Sequence, residues 1–217
     1  MNQSLLAQVL QIATGSALIL FPLIFIFAFS VHPGLLRPRL LKPEDIIRRA
    51  RRNKWLQMGH SLVLLCTALL IVAAMHFLNI LSQGSAAWAG LIGAVLAVLG
   101  AIFLAADKGA LCLTMSALDT LPEEKFSAMM PGLLAMFSKK GWMILLWGIL
   151  LLPVGFAIQA VGLLQAGALP RWQSALFLIG VLLVATPDGM EIINLSASIL
   201  MAIAMIPHGI QLIATAF

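Results

Sequence analysis

The residues with the widest chemical repertoire in this chain are its four histidines, His32, His60, His76 and His208. Neutral imidazole is an axial haem ligand and the commonest protein ligand for metal ions. A helix that serves two haems offers both ligands on one face. His60 and His76 lie sixteen residues apart, which is about 160° around a helix at 3.6 residues per turn, so they point to nearly opposite sides. His76 and His208 instead lie near the same-side ends of two apolar segments, which leaves room for one b-type haem between them, in a redox subunit that is haem- or quinone-linked. No C-x-x-C-H for covalent haem attachment is present. The competing expectation is a set of interfacial histidines hydrogen-bonded to backbone carbonyls or water, and Pro207, which frees a carbonyl one turn earlier, invites such a repair beside His208.

A second constellation is T-P-D-G-M-E, Thr186 to Glu191, which sets two carboxylates between two strongly apolar segments. Pro187 and Gly189 make a turn there. Asp188 at the cap and Glu191 three residues on form a D-x-x-E helix start, placed at the positive end of the helix dipole. If the preceding segment is short, Thr186, Asp188, Glu191 and Asn194 line a polar recess, and a small transporter or channel would use the two carboxylates as a gate. Asp107 with Lys108 reads as a solvated anchor at the end of an apolar segment.

No nucleophile elbow, H-E-x-x-H, phosphate loop or paired carboxylate at the middle of an apolar segment appears. Cys66 falls inside a span and Cys112 in a connector, with no second thiol nearby, so neither a disulfide nor a metal site is expected. The expectation is a protein without catalytic residues, metal or resident cofactor, haem b being the alternative.

The elements that must position these groups are set by composition. The 217 residues are 62% hydrophobic and 10% charged, with a mean hydropathy of +1.06, against about half apolar and a quarter charged in a soluble domain. A helix needs about 20 apolar residues to cross a membrane. Candidate spans are Leu5 to Val31, Leu56 to Leu81, Ala86 to Ala106, Trp142 to Leu164, Trp172 to Thr186 and Ile192 to Ala216. The fifth has only about fifteen residues. Barrel-type alternation is absent, so the expected fold is all-α, one polytopic bundle of about six spanning helices plus one amphipathic interface helix. The M-N-Q-S start carries no Lys or Arg, and no cleavage pattern follows, so the first span is read as a permanent helix.

Charge then orients the bundle. Arg37, Arg39, Lys42, Arg48, Arg49, Arg51, Arg52, Lys54, Lys108, Lys125, Lys139 and Lys140 fall on connectors of one side, and Arg171 alone on the other. By the positive-inside rule both termini are expected outside. Arg48, Arg49, Arg51, Arg52 and Arg171 are the expected contacts with lipid headgroups. Orientation and headgroup attraction account for R-R-A-R-R-N-K, so no nucleic-acid partner is expected.

Pro43, Glu44 and Asp45 start a helix that nothing in the sequence breaks before about Asn79, so it should stand clear of the bilayer. T-L-P-E, Thr120 to Glu123, reads as a capping box. It opens an amphipathic helix with Phe126, Met129, Met130, Leu133, Leu134 and Phe137 on one stripe, docked on lipid or on the bundle. Ala89, Gly93, Ala97, Ala101 and Ala105 form a row of small residues that lets a neighbouring helix approach closely.

The segment Gly167 to Gly180, G-A-L-P-R-W-Q-S-A-L-F-L-I-G, with P-D-G and the late A-M-I-P-H-G-I-Q-L-I, resembles the DUF4386-like group of bacterial membrane proteins. The resemblance covers about the final 75 residues and implies a helical inner-membrane protein, with no catalytic residues to carry over. The functional expectation is a non-enzymatic protein that binds lipid or a small apolar ligand, or packs as a subunit of a membrane complex. Its candidate partners are membrane lipids, other membrane subunits and further copies of itself.

Overall fold

The structure, a computed structural model, describes residues 3–137, 144–184, 186 and 190–217. Among these there is no strand. The helices are α1 (Gln3–Ser30), α2 (Pro43–Ala50), α3 (Lys54–Leu81), α4 (Ala87–Asp119), α5 (Glu123–Phe137), α6 (Ile144–Ile149), α7 (Leu151–Ala166), α8 (Arg171–Leu183) and α9 (Glu191–Ala214). Five stretches are long and apolar enough to cross a membrane: Leu5–Ser30, Lys54–Leu81, Ala87–Asp119, Trp147–Ala166 and Glu191–Ala214. The expected fourth span begins at Trp142, which lies outside the described residues. The expected fifth is α8, whose 13 residues make about 20 Å of helix, short of a hydrocarbon core of roughly 30 Å.

The six long or apolar helices form a closed ring in chain order: α1 packs on α3, α3 on α4, α4 on α7, α7 on α8, α8 on α9, and α9 returns to α1. Glycines set how closely these pairs approach. A Cβ at Gly15 of α1 would lie 2.5 Å from the Gly209 oxygen of α9, and one at Gly180 of α8 would lie 2.8 Å from the Ala197 oxygen of α9. The seam between α4 and α7 is the tightest of them. There Gly93 and Gly100 meet Gly155, Gln159 and Leu152 backbone to backbone, which is the close approach expected of the small-residue row on α4.

Inside the ring, Phe77 of α3, Phe156 of α7 and Phe177 of α8 form a triangle with ring centroids 5.4 to 6.2 Å apart. Edge and tilted contacts at this spacing suit the aromatic quadrupole. Large apolar side chains such as Leu65, Ile102, Leu113 and Ile203 face outward along the ring, the distribution of a bundle whose surroundings are apolar.

The structure corrects four local expectations. First, the helix begun at Pro43 does not run on into α3. The chain breaks at Arg51 to Asn53, with Arg52 in a left-handed conformation (φ 59°), while the Asn53 side chain accepts a hydrogen bond from Leu56 N and starts α3 afresh. Asp119, at the end of α4, holds the break by accepting from Arg52 N at 2.7 Å and from Gln57 Nε2 at 2.5 Å. Second, α4 runs on to Asp119, so Cys112 and the Asp107–Lys108 ion pair (3.1 Å) lie on a continuous helix and not on a connector.

Third, the Thr120 hydroxyl donates back to Ala117 O at 2.7 Å. It therefore closes α4 and does not cap α5. Fourth, the N-cap of α9 is Met190, and Asp188, expected at that position, lies outside the described residues.

Helix α5 docks as an amphipathic element. Phe126, Met130 and Leu133 form a buried stripe at i, i+4 and i+7 against Ile47 of α2 and Leu118 of α4, whereas Met129 and Met136 stay exposed.

Candidate functional site

Among the described residues every Lys and Arg except Arg171 gathers at one end of the ring, referred to below as the basic end. The five arginines expected at lipid headgroups do not behave alike there. Arg51 turns inward: its side chain is 7% exposed and pairs with the Glu123 carboxylate. It also donates to Leu121 O at 2.7 Å and lies 4.0 Å from the centre of the Phe126 ring. An arginine so enclosed is a clamp between the α2–α3 break and α5, and the headgroup reading does not fit it. Arg48 is exposed and paired with Glu44 one turn earlier at 3.0 Å. Arg52 is exposed, held through its backbone N–H. Arg171 is exposed at the start of α8, at the opposite end of the ring.

Arg49 is the fourth of the basic-end set, and it faces a different neighbour. Its Nη1 donates to Pro33 O at 3.3 Å, which ties α2 to the turn leaving α1. Pro33, Gly34, Arg37, Arg39 and Arg49 line a cavity of about 310 Å³. Gly34 shapes this turn with φ 82°, a conformation that disfavours a side chain. A Cβ on Gly34 would also come within 3.1 Å of Arg49 Nη1. A second cavity of about 210 Å³ lies among Arg48, Arg51, Arg52, Glu123 and Phe126.

The histidines resolve into two pairs. At the basic end His32 donates from Nδ1 to Ala28 O at 2.7 Å, and its ring meets His60 edge to face with centroids 5.5 Å apart. Toward the other end His76 of α3 and His208 of α9 come together, as their positions in the sequence suggested. Their Nε2 atoms are 2.9 Å apart, so one donates to the other. A metal ion takes imidazole nitrogen at about 2.0–2.1 Å, which sets two axial nitrogens roughly 4 Å apart. The pair as built is a direct hydrogen bond, and it does not fit a haem iron between its members.

The expected recess at the end of α8 is partly formed. Asn194 meets all its needs when its amide nitrogen faces Val184 O (2.6 Å) and Leu183 O (3.3 Å) and its oxygen takes the Thr186 hydroxyl (3.1 Å). Thr186 and Asn194 are thus brought together, and Asn194 closes the carbonyl end of the short helix α8. Glu191 is buried in the first turn of α9, and Asp188 lies outside the described residues.

Three groups carry structure in roles that the sequence does not announce. Asp119 holds the α2–α3 break, and Glu123, expected in a capping box, answers Arg51. Gln159, fully buried on α7, donates from Nε2 to Ala74 O of α3 at 2.9 Å and to Gly90 O of α4 at 3.3 Å. A lone glutamine in an apolar segment is the signal available for the last; its two carbonyl partners depend on the packing of three helices.

No family model matches the chain, and no curated protein or solved structure shows significant similarity to it. The likeness to the DUF4386-like group rests on the short motifs alone.

Proposed function

We propose that this chain is a non-enzymatic, multi-pass protein of the bacterial inner membrane that works by engaging anionic lipid at its basic end, alone or as a subunit packed into a membrane complex. The observation that carries the reading is the arrangement of tryptophan and arginine around the ring. Trp55 stands exposed at the start of α3 at the basic end, and Trp88 and Trp172 stand exposed at helix starts of the other. Amphipathic rings at both ends of an apolar surface match the two interfaces of a bilayer, and the arginines gathered at one end match the anionic cytoplasmic leaflet.

Both termini would then face the periplasm. The absence of a recognised catalytic motif in the sequence favours a binding role over turnover.

The reading is tested by native mass spectrometry of the purified protein exchanged into mixed phosphatidylglycerol and phosphatidylethanolamine. Preferential retention of the anionic lipid is expected. Equal retention of both, or ion flux or turnover that a single substitution abolishes in reconstituted protein, would overturn it.

A further inference from the structure

The two cavities at the basic end differ in how their charge is answered. The one among Arg48, Arg51, Arg52, Glu123 and Phe126 contains its own carboxylate, and Glu44 takes up Arg48 from beside it. The one after α1 is lined by Arg37, Arg39 and Arg49, with only Pro33 and Gly34 between them, and none of these three arginines is in an ion pair among the described residues. Three guanidinium groups converging without a counter-charge repel one another. An arrangement of this kind is relieved by an anion.

Other features narrow the anion. Arg49 is oriented by Pro33 O, which leaves further N–H donors of its planar fork unused. The Gly34 turn, closed by Arg37 N donating to Gly34 O at 2.8 Å, brings Arg37 back over the same space. Planar forks of this kind match phosphate oxygens two at a time. The volume of about 310 Å³ stands at the small end of ligand sites, the size of a headgroup and not of a whole lipid. Pro33 is three residues beyond the end of α1, which puts the cavity at the level where a spanning helix leaves the bilayer.

We propose that Arg37, Arg39 and Arg49, with the Gly34 turn, form a receptor for a terminal phosphate, either the phosphomonoester headgroup of an anionic lipid or a soluble phosphoanion. The proposal rests on the lipid-contact reading above and makes it specific to one cavity. A site with three positive charges favours a phosphomonoester over the singly charged phosphodiester of most lipids.

The test uses the full chain in detergent with phosphatidic acid, phosphatidylglycerol or phosphatidylcholine, read by native mass spectrometry, and separately with inorganic phosphate or pyrophosphate, read by thermal shift. Wild type is expected to hold one phosphatidic acid molecule more tightly than the other lipids. R37Q/R39Q should weaken that adduct roughly 10- to 30-fold, at about fivefold for each arginine near the surface. R48Q/R52Q removes the same charge outside the cavity and should weaken phosphatidic acid and phosphatidylglycerol alike, leaving the preference between them within about twofold. R37K/R39K, which keeps the charge and loses the planar fork, should fall between. Arg37 and Arg39 are exposed, and an unchanged melting midpoint without ligand confirms that each variant is folded.

If phosphate or pyrophosphate stabilises wild type, displaces the lipid and fails to act on R37Q/R39Q, the receptor serves a soluble phosphoanion. If those anions are inert and the lipid adduct alone responds, the headgroup is the ligand. Equal losses of the preference for phosphatidic acid in R37Q/R39Q and R48Q/R52Q would overturn the proposal while leaving general anionic lipid contact standing. No preference for anionic lipid in wild type, with no response to either soluble anion, would sink both.

Discussion

Replacing Gly155 with alanine places a methyl group where α7 meets the backbone of α4. The new Cβ would lie against Ala97 N, 2.5 Å from Gly93 O and 2.8 Å from Ala97 Cα. Ordinary carbon contacts start near 3.5 Å, so the helices must part by roughly 1 Å, and no rotamer change can absorb the misfit because every neighbour is backbone. Overpacking of this kind costs about 1–3 kcal/mol. Gln159 stands one turn further along α7, and its long bond to Gly90 O, 3.3 Å, would be stretched beyond use, adding about 1 kcal/mol.

The expected total is about 2–4 kcal/mol, which lowers the melting midpoint of a chain of this size by roughly 5–15 °C. Thermal unfolding in detergent, followed by circular dichroism, reads it directly. Gly109→Ala is the control, since its Cβ would meet only Leu64 Cδ1 at 4.0 Å and helix propensity favours alanine by up to about 1 kcal/mol. If Gly155→Ala melts with or above Gly109→Ala, the backbone seam does not hold α4 against α7.

The remaining expectations concern the polar clusters. Arg51→Ala removes the clamp on Glu123, Leu121 O and Phe126. With Glu123 largely exposed, the net loss is about 1–3 kcal/mol, and hydrogen exchange in α5 should quicken, whereas Arg48→Ala should leave it unchanged. Asn194→Leu uncaps the carbonyls at the end of α8 and should cost about 1–3 kcal/mol; an unaltered melting midpoint would refute the capping role. The direct bond between His76 and His208 predicts no Soret band in protein purified from haem-supplemented cells, and a band abolished by His76→Ala would reinstate the haem reading. Cys66, fully buried, should resist maleimide in the folded protein, while Cys112, partly exposed on α4, should react; equal rates would contradict the packing of α3.

The spans were legible because twenty apolar residues in a row have few other uses, and the small-residue row on α4 announced its own seam. Even the brevity of α8 could be counted. The break before α3 was not legible, since no glycine or proline interrupts Glu44 to Gly59; it depends on Asn53 capping forward and on Asp119, distant in sequence, arriving to hold it. Arg51 likewise reads as one more surface arginine until Glu123 and Phe126 are placed beside it. His76 and His208 could be paired by their depth along two spans, but depth gives no distance, and the distance decides between a shared proton and an iron. The cavity of Arg37, Arg39 and Arg49 escaped notice because it is built on an irregular segment, where periodicity carries no information, and on a turn that only Gly34 permits.

The return of α9 to α1 bears on how the molecule is made. Translation delivers α1 before α9, and the groove at Gly15 is cut to take the Gly209 backbone of a helix made after four intervening ring helices. Until α9 arrives that groove has no partner in the ring, which stays an open arc. Closing the ring thus waits on α9, and a chain halted before it displays its open state on α1.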